Sequence, residues 1–407
     1  MKKQLIFNLI TATTSAALLT LLAMSGVRAQ TAPAAPNTSH IGMPAGSIPA
    51  DTEIGGEKLV VLSRTAVSKT KPEFTSLTLM PGRGMEFLYV TANFPGKGEV
   101  QVLASPDLAT VKQTLDAPGD PSGQRGVQFG GAFLIPYPNR VRGQLSADGK
   151  SITVPWQGQT LNLPAGRGPK GAPATEGRAG HGLIFRSQAQ DVHVSQIPGG
   201  EQVTAVIHAA DFGGHWLSNT DLNFTVTLAA EAIDVSIVAH NIGQQPEPIA
   251  IGMHPYFNIP SGDRAQARVR VPADIYSELD SYQSVIPTGK LLPVKGTKFD
   301  LLAPGGTPIA DNRYDDNWTH LQWKSGAATV EITDPAAHYG VDVEARSPAI
   351  KAIQLYVPPG KNFVAVEEQY NFIDPFGPQW GSRDTGMVTL KPGQSTTWHV
   401  RLHVFAP

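Results

Sequence analysis

The sequence contains no cysteine. Disulfides, thiolate nucleophiles and cysteine-ligated zinc are therefore excluded, and cysteine usage says nothing about compartment. Excess charge of either sign is also missing. A formal net charge of −2 over 407 residues offers no basic footprint for nucleic acid. Away from the extreme N-terminus it offers no polybasic segment for anionic lipid. No amphipathic helical pattern runs beyond two turns. HExxH, EF-hand and other short-range metal spacings are absent, as are a GxSxG elbow, a Walker loop and a dinucleotide fingerprint in context. The expected chemistry needs neither a metal nor a cofactor.

What is abundant is turn chemistry. Gly 41 and Pro 34, set between short apolar runs, indicate a mostly β chain. Leu222, Phe224, Val226 and Leu228 alternate at period two, as do Ile233, Val235 and Ile237, and Trp398, Val400, Leu402 and Val404. Each run has one buried and one wet face. Ile152–Val154 and Thr160–Leu163 read as a hairpin around Gly158. Residues 164–180 hold little but Gly, Pro, Ala and charge and read as a loop leading to His181.

The N-terminus reads as a secretory signal. Lys2 and Lys3 precede the mostly apolar stretch Leu5–Met24, and Val27-Arg28-Ala29 supplies small residues for cleavage after Ala29. A retained anchor is the other reading, but Asn8, Thr11, Thr13 and Thr14 dilute the segment. The expected organisation is a signal at 1–29, a flexible Ala/Pro/Thr leader at 30–53 and one domain at 54–407. The expected location is periplasmic or secreted, with no stable membrane association after cleavage.

Candidate chemistry centres on Ile251–Pro260. Here His254 precedes Pro255, two rings (Tyr256, Phe257) and an amide (Asn258). Such a group suits proton transfer on a polyhydroxylated ligand, with the rings under a sugar's C–H face. A buried histidine satisfied by a carbonyl is the plainer alternative. Glu367 and Glu368 follow the run Phe363–Val366, and in a strand they face opposite ways. The residues alone do not choose between them, and the other glutamate would be a solvated strand residue. Arg140, after Asn139, can donate to two neighbouring hydroxyls or sit in a surface salt bridge. Asp315 is an acceptor beside Trp318, a stacking surface, or else a turn residue. His181 lies between glycines that allow close approach. Interconverting sugar anomers requires a base at the C1 hydroxyl and an acid at the ring oxygen, which a carboxylate and a histidine supply.

These segments, in order, resemble the aldose 1-epimerase (galactose mutarotase) family. GGAFLIPYPNRVRG resembles its G-G-x-x-x-P-x-x-N-R segment. His181-Gly182, HPYFNIP, IPTGKLLPVKGTKFDL with YDDNW, IQLYVPP with VEEQ, and LKPGQSTTW are similar to its later segments. The resemblance implies an all-β fold, a large antiparallel β-sandwich with few short helices. It implies Glu367, two residues before Gln369, as general base and His254 as general acid. Arg140, Asn139, His181, Asp315 and Tyr256 match its substrate-binding or acid-supporting positions, and the ligand is an aldohexose such as galactose or glucose. The sequence departs from the family in a longer stretch from Arg142 to His181, and in Leu183, Asp316 and Pro255. A non-catalytic carbohydrate-binding protein, or a polysaccharide lyase or glycosidase on a related sandwich, stands as the alternative. For a glycosidase, Asp315 and Glu367 would supply the carboxyl pair.

Overall fold

A computed structural model describes residues 48–166 and 175–407. The expected signal segment, the leader up to residue 47 and the middle of the 164–180 stretch lie outside the described residues. Two large antiparallel sheets organise the chain. A nine-stranded sheet runs, in spatial order, from Gln190–Ile197 through Gly200–Ala210, Thr220–Leu228, Ala232–Asn241, Ser395–Phe405, Tyr339–Ala345, Ala328–Asp334 and Arg268–Arg270 to Thr307–Pro308. An eleven-stranded sheet carries at its centre Tyr314–Leu321, Ala352–Val357, Phe363–Gln369, Gly252–Asn258, Gly131–Leu134 and Glu86–Phe94, in that order. The two meet face to face. Phe133 of the second sheet lies edge-on to Phe224 and Trp398 of the first, at 5.4 and 6.2 Å between ring centroids.

The sheets differ in how they are covered. Thr220–Leu228 and Ala232–Asn241 alternate buried and more open positions as their period-two patterns require. The Phe363–Gln369 strand is buried at all seven positions, because one of its faces meets the sandwich core while the other is roofed by loops. That roofed face carries Glu367 and Gln369. The Ile152–Val154 and Thr160–Leu163 hairpin is present, as Ser151–Trp156 paired with Gln159–Pro164.

Two expectations need correction. A nine-residue helix, Leu108–Asp116, is present, with Asp107 accepting from the Thr110 N–H at 2.9 Å as its N-cap. It buries only Val111 and Leu115, an apolar stripe too sparse to stand out. The 164–180 stretch is also not loop throughout. Glu176–Gly180 is a strand that pairs with Arg140–Leu145, despite a composition poor in β formers.

Candidate active site

Strand register alone gathers the site. Tyr256 lies opposite Ala365, Gln354 opposite Glu367, and Tyr356 opposite Ala365. Asp315 lies opposite Tyr356. Because paired residues share a face and side chains alternate along each strand, Glu367, Gln354, Tyr356, Asp315, Tyr256 and His254 all project from the roofed face. A second ladder delivers the rest. Arg140 pairs with Gly180, and the His181 N–H donates to the Asn139 carbonyl at 2.6 Å. Residues 139–140 and 181 thus meet although 40 positions separate them. Asn139 and His181 both have positive φ, 62° and 58°. For asparagine this conformation is well tolerated.

These residues line a cavity of about 390 Å³, to which Tyr282, Gln283, Val285, Arg313, Gln124, Val127 and Gln128 also contribute. His254 Nε2 is 3.1 Å from Glu367 Oε1. The His254 ring stacks on Tyr256 at 4.6 Å, and the His181 ring stands edge-on to it at 5.5 Å. Tyr256 is fixed from below, its hydroxyl donating to the Val127 carbonyl at 2.7 Å. Arg140 donates to Asn139 Oδ1 at 3.1 Å and to Asp315 Oδ2 at 3.4 Å. Gln354 donates to Asp315 Oδ1 at 2.9 Å. Asp315 therefore stands as an anchored acceptor next to a guanidinium.

Burial dominates the electrostatics. It pushes His254 down to about 3, with Arg140 acting in the same direction. It pushes the Glu367 carboxyl well above the ordinary range, reinforced by the Asp315 charge and opposed by Arg140. His181, enclosed although one edge stays open, is held well below its ordinary value by burial, then by His254 and Arg140. Burial thus disfavours the charged form of each member of the 3.1 Å His254–Glu367 contact, which leaves a neutral imidazole beside a protonated carboxyl, one proton for the two groups. Around that pair, His181 Nδ1, His254 Nδ1, Asn139 Nδ2, Gln354 Oε1 and Glu367 Oε2 are buried without a partner among the described residues. Buried polar atoms are normally satisfied. So many orphans in one cavity fit a ligand dense in hydroxyl groups.

The structure brings all seven expected site residues together, but it reassigns several neighbours. Phe257 faces the core, fully buried, one residue out of phase with His254 and Tyr256. Asn258 donates to the Gln101 and Leu103 carbonyls and ties down backbone. Trp318 is fully buried, with its indole N–H on the Phe299 carbonyl. It lies three residues from Asp315 and so on the other face. Glu368 is not solvated either: it is completely buried on the core face. Asp316, where the family has histidine, accepts from the Tyr282 hydroxyl at 2.7 Å, and burial raises it to about 6. Pro255 pairs with Gly131 at the last position of the ladder between Gly252–Asn258 and Gly131–Leu134, just before pairing with Phe363–Gln369 begins at Tyr256, so its missing N–H costs little there. Sequence reasoning missed Gln354, Tyr356 and Tyr282. The first two were detectable, because they sit opposite Glu367 and Ala365 once a hairpin is drawn between the two strands.

A family model described as aldose 1-epimerase matches residues 111–403. No curated protein sequence matches the chain. Among solved structures, a galactose mutarotase-like protein from Clostridium acetobutylicum superposes with a TM-score of 0.67 at 19% identity, covering 86% of this chain and 99% of that one. A GalM/aldose epimerase homologue from C. elegans gives 0.61 at 15% identity, covering 85% and 98%. A galactose 1-epimerase from Lactobacillus acidophilus gives 0.59 at 16% identity, covering 86% and 99%. At these identities the likeness is one of fold.

Proposed function

The chain belongs to the aldose 1-epimerase family, and from that premise we propose that it interconverts the α and β anomers of a free aldohexose. The observation that carries this reading is the His254–Glu367 contact at 3.1 Å inside a cavity ringed by unpaired polar atoms. The anomeric hydroxyl oxygen and the ring oxygen are bonded to the same carbon. An acid and a base serving them must therefore stand close together, as these two do, rather than across the ring from each other. An entering sugar separates the pair. Hydroxyls donating to Glu367 favour its ionised form and send the shared proton to His254. Glu367 then takes the C1 hydroxyl proton while His254 protonates the ring oxygen, and the C1–O5 bond opens. The carbonyl turns, and closure on its other face reverses both transfers. Arg140 and Asp315 hold hydroxyls remote from C1 and so orient the ring. Asp315 is itself anchored, accepting from Arg140 and Gln354.

The test is polarimetry on freshly dissolved α-D-glucose and α-D-galactose with purified protein. Acceleration over the spontaneous drift is expected for at least one. Glu367→Gln should lower the catalysed rate by roughly 10²–10⁴-fold, the range for one acid–base group, with the fold intact. Near-wild-type rates in that variant would remove Glu367 from the mechanism. We further propose export to the periplasm or medium, motivated by Lys2-Lys3, the Leu5–Met24 stretch and Val27-Arg28-Ala29. Mature protein beginning at Gln30 in the periplasmic or secreted fraction, read by mass spectrometry, supports this; protein confined to the cytoplasm with Met1 intact refutes it.

A further inference from the structure

Past Arg140 and His181 the catalytic cavity continues into a second one of about 370 Å³. The two share Gln124, Arg140, His181 and Gln283. The walls of the second cavity come from Pro164–Gly166, the end of the Glu176–Gly180 strand, Ser122 and Tyr137. Among the described residues two arginines and a histidine line it, and no carboxylate does. Neutral sugars are usually held by carboxylate acceptors and open aromatic faces, and here the one tyrosine among the described lining residues, Tyr137, is buried and stacked on Trp216 at 5.8 Å. Arg178 is 9% exposed. One of its Nη groups donates to the Ser284 carbonyl, and its Nε has no partner among the described residues. Arg140 and Arg142 oppose its charge, and only Asp280 and Glu176 favour it. A guanidinium this deeply buried without a contacting carboxylate is destabilised until an anion compensates it.

We propose that this cavity is an anion subsite, and that the protein acts on aldoses bearing a negatively charged group remote from C1, a hexuronate being the expected form. The proposal rests on the mutarotase reading for its chemistry but not for its binding. A guanidinium reads a carboxylate or a phosphate by paired N–H donors, so either anion fits the same chemistry.

Anomer exchange of D-glucuronate, its neutral isostere D-glucuronamide, D-glucose 6-phosphate and maltose, followed by NMR and corrected for spontaneous exchange, tests it. The expected result is a kcat/KM for glucuronate at least about tenfold above that for glucuronamide, the size of one charge-assisted contact. That ratio should fall towards one in Arg178→Gln. Glucose 6-phosphate exceeding glucuronate would identify phosphate as the anion and still support the subsite. Equal rates for uronate and uronamide, a preference for maltose over both anions, or a ratio that survives Arg178→Gln would overturn it. Should Arg178→Gln fail to fold, the wild-type comparison decides alone. Should no aldose be turned over, calorimetric binding of glucuronate against glucuronamide to wild-type protein separates the two questions. Preference for the anion sustains the subsite without the mutarotase, and no preference overturns it.

Discussion

Glu368→Gln should stabilise the protein, and by an amount that depends on pH. Glu368 is fully buried on the core face of the eleven-stranded sheet, and neither of its carboxylate oxygens has a side-chain or backbone partner among the described residues. Burial raises its titration from 4.5 to about 8. Below pH 4.5 folded and unfolded chains both carry the proton, and the group is neutral in its effect. Between 4.5 and about 8 the folded chain retains a proton that the unfolded chain has released, so stability falls as pH rises. Each pH unit in that window costs about 1.4 kcal/mol, which brings the loss to the order of 4 kcal/mol by pH 8. Above that it is constant. Glutamine has the same shape and leaves a similarly unpaired polar group, so the desolvation of the neutral side chain cancels in the comparison. Urea unfolding of the wild type and Glu368→Gln from pH 4.5 to 9 measures the difference directly. The two should be nearly equal at pH 4.5 and diverge steadily towards pH 8, with the variant more stable. A difference that is flat in pH would refute the burial argument.

The catalytic pair gives a second pH dependence. On the proposed mechanism activity requires one proton shared by His254 and Glu367, so kcat/KM should be level through neutral pH. It should fall on the acid side near pH 3, where His254 takes a second proton, and on the alkaline side only above the ordinary carboxylate range. A limb near pH 6.5, the ordinary imidazole value, would mean that burial does not control the site. Gly182→Ala should be costly in both stability and substrate affinity. Gly182 has φ 87°, and an added Cβ would lie 2.4 Å from the Ile135 carbonyl oxygen. The strain is about 1–3 kcal/mol and falls on the residue that follows His181. Urea unfolding should show the loss, and a raised KM should show the displaced ring.

The site was more legible in the sequence than the path that assembles it. Short segments such as PNR, GHG, HPYFN and VEEQ each carry a residue whose chemistry is tied to a local backbone: Asn139 in a left-handed turn, His181 beside Gly182, Glu367 on a strand. Their meeting point depends on register, which period-two patterning cannot supply where both faces are buried. Every position of Phe363–Gln369 is buried, so hydrophobicity gave no reason to prefer one glutamate's face over the other, and only the ladder Gln354↔Glu367 decides it. The same loss of contrast made Phe257 and Trp318 look like sugar platforms. Both lie an odd number of residues from a site residue and so belong to the core face, a parity that was readable once the strands were granted. Glu368 is the sharpest case. Its neighbour's role needs burial, since desolvation is what raises Glu367, and a strand covered on both sides buries the next residue equally. On this view the unpaired carboxyl in the core is a by-product of roofing the catalytic face. If the Glu368→Gln variant is more stable at neutral pH and turns over as fast as the wild type, then the carboxyl at position 368 serves neither the fold nor the chemistry.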